Sequence, residues 1–158
     1  MIIIAAMSEN RVIGSGDGMP WNVPEEYEQY LNFVDGNTVV MGRRTYEVFG
    51  KDLPKDTHAV VLSRRATFDG TTSAASFDDA IDEAAKFGTP VFIAGGGFVY
   101  EQAIPVVDEM YLSTIKGEYQ GDVYFPKFDA DLWHVAETRN ETNFVFHKYR
   151  RRKSVESR

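Results

Sequence analysis

Met19-Pro20-Trp21-Asn22-Val23-Pro24 leads directly into a pair of acids, Glu25 and Glu26. Pro24 suits the first turn of a helix, where a missing N–H costs nothing. From there Val23, Tyr27, Tyr30, Leu31 and Val34 recur at helical spacing as an apolar stripe. Glu25, Glu28, Gln29 and Asn32 fall on the opposite face, and Glu26 sits at the border, stacked with Tyr30 and Phe33. Glu26 is therefore the acid of this helix best placed to face a crevice. The helix dipole favours its ionised form by about 0.3–1 kcal/mol. Burial beside aromatics raises a carboxyl pKa, at about 1.36 kcal/mol per unit, so burial prevails where desolvation is substantial. Two roles fit the residue: a carboxyl that grips a ligand, and a plain complement to the helix dipole.

Further along, Gly95-Gly96-Gly97 follows apolar Val91–Ala94 and precedes the helical run Phe98-Val99-Tyr100-Glu101-Gln102. A strand that ends in glycines and opens a helix lets a phosphate approach backbone N–H groups at the positive end of the dipole. The full G-x-G-x-x-G pattern is not met, because Tyr100 stands at its third glycine, and a tight turn would also use these residues. Arg43-Arg44 follows Thr38–Met41 through Gly42, and Arg64-Arg65 follows Ala59–Leu62 through Ser63. Both doublets fall at the carboxyl ends of candidate strands, where open α/β sheets bind ligands. Arginines meeting at one edge of an acidic chain suit a phosphate held by planar, bidentate donors. A solvated surface is the alternative for either doublet alone. Gly14, Gly16 and Gly18 predict a mobile loop carrying Met19 and Trp21, either a lid that excludes water or a surface connection.

The elements that must position these groups alternate along the chain. Strands are expected at Ile2–Met7, Thr38–Met41, Ala59–Leu62, Pro90–Ala94, Glu109–Thr114, His134–Thr138 and Phe144–Tyr149. Helices are expected at Pro24–Val34, Arg44–Phe49, Phe77–Phe87 and Phe98–Ile104. That order predicts a largely parallel α/β sheet covered on both faces. The last two strands, joined through Arg139-Asn140-Glu141, predict an antiparallel hairpin at one edge. One domain over residues 1–149 is expected, followed by a polar, frayed tail over 150–158. The basic run Arg150-Arg151-Arg152-Lys153 reads as part of that solvated terminus.

Composition narrows the classes. The 158 residues are 43% hydrophobic and 26% charged, as in ordinary globular domains. Cysteine is absent, which excludes disulfides, thiol nucleophiles and cysteine-based zinc sites and makes a cytoplasmic location the default. His58, His134 and His147 share no ligand spacing, so no metal is expected. The net charge of −7 is opposite in sign to that of a nucleic-acid binder. Met1–Met7 is too short to span a bilayer and lacks the flanks of a secretory signal, so no membrane partner is expected.

Taken in order, these segments resemble dihydrofolate reductase. The resemblance is carried by Ile4-Ala5-Ala6, Asn10-Arg11-Val12-Ile13-Gly14, the Met19–Pro24 run, Val40-Met41-Gly42-Arg43-Arg44-Thr45-Tyr46-Glu47 and Leu53-Pro54. It continues through Val60-Val61-Leu62-Ser63-Arg64, Ile93-Ala94-Gly95-Gly96-Gly97-Phe98-Val99-Tyr100-Glu101 and Gly121-Asp122-Val123-Tyr124-Phe125-Pro126. It implies a single-domain fold with an eight-stranded, mostly parallel mixed sheet, a C-terminal antiparallel hairpin and four flanking helices. It further implies NADPH as cofactor, dihydrofolate as substrate and reduction to tetrahydrofolate by hydride transfer. Antifolate inhibitors and a monomeric state are expected on the same ground.

The resemblance places Glu26 as the acid that grips the pterin, Ser113 as the hydroxyl supporting it, and Met19 and Trp21 on the catalytic loop. Ile4 and Ala94 would offer backbone carbonyls to the pterin amine, and Ala5, Tyr27, Tyr30, Phe49, Leu53 and Tyr100 would line the substrate cleft. Ala6, Ile13, Gly14, Gly42, Thr45, Leu62, Ser63, Gly95, Gly96, Gly97, Phe98, Val99 and Tyr100 would contact the cofactor. Arg43, Arg44, Arg64 and Arg65 would hold its 2′-phosphate, and Asp122 would fasten the Met19 loop. Two departures stand out. The family's arginine after Leu53-Pro54, which grips the glutamate tail, is replaced by Lys55-Asp56-Thr57-His58, and Phe98 stands where many relatives are basic. The missing arginine keeps two other readings open: a riboflavin-pathway pyrimidine reductase, and a non-catalytic pterin- or nucleotide-binding module.

Overall fold

The computed structural model describes residues 1–14 and 18–153. In chain order the elements are β1 (Ile2–Ser8), β2 (Val12–Gly14), α1 (Pro24–Val34), β3 (Thr38–Gly42), α2 (Arg43–Phe49), β4 (His58–Leu62) and β5 (Thr72–Ala74). They continue as α3 (Phe77–Ala85), β6 (Val91–Ile93), α4 (Gly97–Ala103), β7 (Glu109–Ile115), β8 (Val123–Tyr124), β9 (Trp133–Asn140) and β10 (Phe144–Arg151). Short 3-10 turns occupy Gly50–Asp52 and Ala130–Leu132.

The main sheet has eight strands in the order β5-β4-β3-β6-β1-β7-β10-β9. The strands from β5 to β7 are parallel, and β10 and β9 are antiparallel. Continuous apolar runs form the central strands because both faces are covered. Ile3 and Val40 pack toward α3 and α4, with Phe77, Ala80, Ala84, Tyr100 and Ala103. Their neighbours Ile4, Val39 and Met41 point the other way, onto Tyr30, Phe33 and Val34 of α1. Helix α3 starts where Ser76 Oγ accepts the Asp79 N–H at 3.1 Å, with Asp78 and Asp79 complementing the dipole. Among the described residues, no helix is long and apolar enough to cross a membrane.

The expected architecture is present, with local differences. Strands β2, β5 and β8 were not anticipated: at two or three residues each, they carry no readable alternation. β2 and β8 pair as a small second sheet. The hairpin turn lies at 141–143 rather than at Arg139-Asn140-Glu141, because β9 continues through Asn140 and Glu141 N–H donates to Phe144 O at 2.9 Å. β10 extends to Arg151, so the start of the expected tail is strand. Arg150 registers with Glu109, and Arg151 Nε donates to Val107 O at 2.9 Å while its guanidinium sits 4.4 Å from the Trp133 ring. The rest of that tail, from 154 to 158, lies outside the described residues.

Candidate active site

Helix α1 docks its first turn against β7, and this contact buries an acid. Glu26 is 5% exposed and Ser113 is 1% exposed. The Ser113 hydroxyl donates to the Glu26 carboxylate, but burial outweighs that bond and pushes the carboxyl from 4.5 up to about 7. Desolvation thus overrides the dipole of the first turn, as the aromatic flank of Glu26 predicted.

Glu26 faces a cleft lined by Ile4, Ala5, Ala6, Ile13, Met19, Tyr27, Tyr30, Thr45, Phe49, Ala94, Gly95, Gly96 and Tyr100. These residues come from the carboxyl ends of β1 and β6, from α1 and α2, and from the start of α4. Chain order in the sheet explains the crevice. β1 hands over to β3 across β6 on one side, and β7 lies on the other, which is a topological switch point. The buried Tyr100 hydroxyl donates to Ile4 O at 2.8 Å, and burial holds its pKa well above the usual phenol value. At the mouth, the Tyr27 hydroxyl donates to Asp52 Oδ2 at 2.6 Å, with the Tyr27 ring 6.1 Å from Phe49.

Trp21 and Leu53 do not line this cleft. Trp21 is 9% exposed and packs with Ile115, Phe144 and Phe146, its ring 5.7 Å from Tyr119 in an edge arrangement. It anchors the chain between Met19 and α1. Leu53 packs in the core cluster beneath, with Val34 and Met41. Residues 15–17 of the glycine loop lie outside the described residues.

A second groove, of about 850 Å³, adjoins the cleft through Ile13, Thr45, Phe49 and Gly96. Gly14, Gly42, Arg43, Arg44, Leu62, Ser63, Arg64, Gly97, Phe98, Val99 and Asp122 line it. Parallel pairing sets Gly42 against Leu62, so the residues following β3 and β4 reach the same edge. Arg65 is not part of this lining: it is exposed, and its N–H donates to Ser63 Oγ at 3.3 Å as the chain turns away. Ala6 and Gly95, expected on the cofactor, line the acidic cleft that adjoins the groove, as does Tyr100, expected on both substrate and cofactor. Sequence reasoning missed Ser76 and Gln102, which also line the groove. Ser76 was readable as the cap of α3, and Gln102 as the residue one turn after Phe98.

The groove suits a phosphate-bearing ligand such as a dinucleotide. Gln102 Nε2 is buried without a hydrogen-bond partner and awaits an acceptor. A Cβ on Gly96 would lie 3.4 Å from Thr45 Oγ1, and one on Gly97 would lie 2.9 Å from Val123 Cγ1, so this backbone approaches its surroundings closely. Gly95 has φ +112°, a conformation that favours glycine. Asp122 donates its N–H to Gly14 O at 3.1 Å, which ties the segment before β8 to the entry of the glycine loop.

Comparison with known proteins agrees with this arrangement. A profile described as Dihydrofolate reductase matches residues 1–152. The chain is 36% identical over 138 residues to the dihydrofolate reductase type A13 of Escherichia coli, covering 86% of this chain and 83% of that one. It is 32% identical over 140 residues to the dihydrofolate reductase of Bacillus subtilis (strain 168), covering 88% and 83%. Among solved structures, dihydrofolate reductase from Enterococcus faecalis complexed with NADP(H) and RAB-propyl superposes with a TM-score of 0.86. It is 27% identical, over 96% of both chains.

Proposed function

The chain belongs to the dihydrofolate reductase family and reduces dihydrofolate with NADPH, and within that activity we propose that Glu26 is the residue on which substrate recognition and catalysis turn. The observation that carries this reading is a carboxyl 5% exposed, raised to about 7, at the floor of a cleft that opens onto a second groove lined by Arg43, Arg44 and Arg64. Glu26 accepts hydrogen bonds from a ring N–H and the exocyclic amine of the pterin, a charge-assisted pair. Ser113 donates to the same carboxylate and fixes its rotamer. The second N–H of that amine is left for one backbone carbonyl, that of Ile4 or that of Ala94. The Ile4 oxygen already takes the Tyr100 hydroxyl, and its second lone pair can serve the substrate. Tyr27, Tyr30 and Phe49 sandwich the aromatic part of the substrate.

NADPH, when bound, supplies a hydride to a pterin carbon. Thr45, Ser63 and the Gly96–Gly97 backbone would hold its phosphates, and Gln102 would give its buried amide to it. Arg43, Arg44 and Arg64 hold the 2′-phosphate, which selects NADPH over NADH. Arg65 lies outside the groove lining. The ring nitrogen beside the reduced carbon gains a proton from water entering beside Met19. Glu26 grips the far edge of the ring and raises that nitrogen's basicity rather than protonating it. Asp122 keeps the loop entry docked. Tail recognition differs from the usual family pattern: Lys55-Asp56-Thr57-His58 follows Leu53-Pro54 without an arginine, and the mouth carries the Asp52–Tyr27 pair, so a carboxylated tail is held weakly.

Loss of NADPH absorbance separates the three readings when dihydrofolate, a ribosylamino-pyrimidine and no substrate are compared; oxidation with dihydrofolate alone is expected. Glu26→Gln is expected to lower single-turnover reduction near neutral pH by about 100-fold, the size of one lost charge-assisted bond, since the amide keeps one acceptor oxygen, while NADPH binding stays intact. An unchanged single-turnover rate would overturn the role of Glu26.

A further inference from the structure

Behind Glu26 a polar path leads away from the cleft, through α1 and β7, to the hairpin edge of the sheet. Ser113 Oγ donates to Glu26 and accepts from Gln29 Nε2 at 3.4 Å. Gln29 Oε1 accepts from Arg139 Nη2 on β9. Arg139 is itself held on several sides: Nη1 meets the Glu141 carboxylate, Nε lies 3.8 Å from Glu137, and the guanidinium sits 4.9 Å from the centroid of Phe146.

The polarity of this path is forced. Arginine can only donate, so the Gln29 amide must turn its oxygen outward and its NH2 toward Ser113. A hydroxyl has one proton, and Ser113 spends it on Glu26. Every link therefore donates toward the buried carboxylate, from a permanent cation at one end to an anion at the other. At the buried Glu26–Ser113 end such links polarise one another, while Arg139 at the far end is partly exposed and screened. We propose that Gln29 and Arg139 are positioning residues for Glu26, acting through Ser113 to keep the hydroxyl proton on the carboxylate and so set its orientation and proton affinity. This rests on the reading of Glu26 as the pterin-gripping acid.

The groups facing Glu26 leave the path as the adjustable influence. Tyr30 of α1 and Tyr100 of α4 are held above the usual phenol range by burial and stay neutral, and Asp52 lies beyond Tyr27. Around the path itself stand Glu25 and Glu28 of α1, Glu137 of β9 and Glu141. Lys148 of β10 pairs with Glu137 at 3.6 Å.

The test follows the Glu26 carboxyl by carbon-13 NMR in the full chain, its resonance assigned by its absence in Glu26→Gln. Gln29→Met, which keeps side-chain length and helix propensity, is expected to raise the titration midpoint by about one unit. In a Ser113→Ala background the same substitution is expected to move it little, because the intermediary is gone. Arg139→Met is expected to give a smaller rise, and Arg139→Lys to recover part of it. The pH profile of single-turnover reduction shifts by the same amount, and KM for dihydrofolate rises while KM for NADPH does not. An unmoved midpoint in both Gln29→Met and Arg139→Met, or an undiminished shift in the Ser113→Ala background, overturns the proposal. A native Glu26 that titrates near 4.5 overturns the reading of the acid itself, a result visible before any variant is made.

Discussion

Replacing Glu26 by glutamine removes a charge that folding must desolvate, and the structure gives the size of the effect. The carboxyl titrates near 4.5 in a solvated chain and at about 7 when folded. Between those values the folded state holds the proton more tightly than the unfolded state, so stability falls as pH rises through this window and is fully reduced above it. At 1.36 kcal/mol per unit the interval amounts to about 3 kcal/mol. Glutamine has almost the same shape and does not titrate. The variant is therefore expected to gain about 3 kcal/mol relative to the native chain at pH 8, with most of that gain gone at pH 5. For a chain of this size, the gain at pH 8 corresponds to roughly 6–12 °C in Tm. Urea or thermal unfolding of both proteins, without ligands, at a series of pH values measures it. Any constant offset between an amide and a carboxylic acid cancels when two pH values are compared. Parallel stability curves from pH 5 to 8 would refute the reasoning, because Glu26 would then titrate as an ordinary exposed acid. The same substitution is the one that should disable reduction, so here activity is maintained at the expense of stability.

Arg64→Ala is expected to weaken NADPH binding by about 10- to 100-fold, the equivalent of one charge-assisted pair, and to leave NADH binding unchanged; equal losses for both dinucleotides would count against a 2′-phosphate contact. Gly121→Ala would set a Cβ 2.3 Å from Gly14 O and 2.4 Å from Val12 Cγ1. Forcing β2 aside is expected to cost about 1–3 kcal/mol, and an unaltered Tm would disprove that packing argument. Asp52→Asn removes a negative charge from the cleft mouth and is expected to lower KM for dihydrofolate about two- to five-fold at low salt, an effect that high salt abolishes. A change that ignores ionic strength would place the cause elsewhere.

Much of the site was legible from residue types and spacing. Glu26 declared itself by sharing a helix border with Tyr30 and Phe33, and burial beside aromatics then dictated the direction of its titration. Glycine and arginine at strand ends fall together in the second groove, because the right-handed, parallel arrangement brings those ends to one edge. The sequence also placed Gln29 on the face with Glu25 and Glu28. Yet Gln29 lies three residues after Glu26, close enough to share its side of the helix, and it turns inward.

Other features needed the folded molecule. Arg43 and Arg44 after β3 both line the groove, whereas after β4 Arg64 lines it and Arg65 does not, a difference that only the path of the chain decides. Strands of two or three residues such as β2 and β8 exist because of what they pair with, and their own pattern is silent. Arg139 reaches Gln29 from 110 positions away, through a hairpin whose register no local propensity encodes. Periodicity along one chain determines which face an element buries. The partner that arrives at that face is decided by sheet order and register, which are properties of long-range pairing.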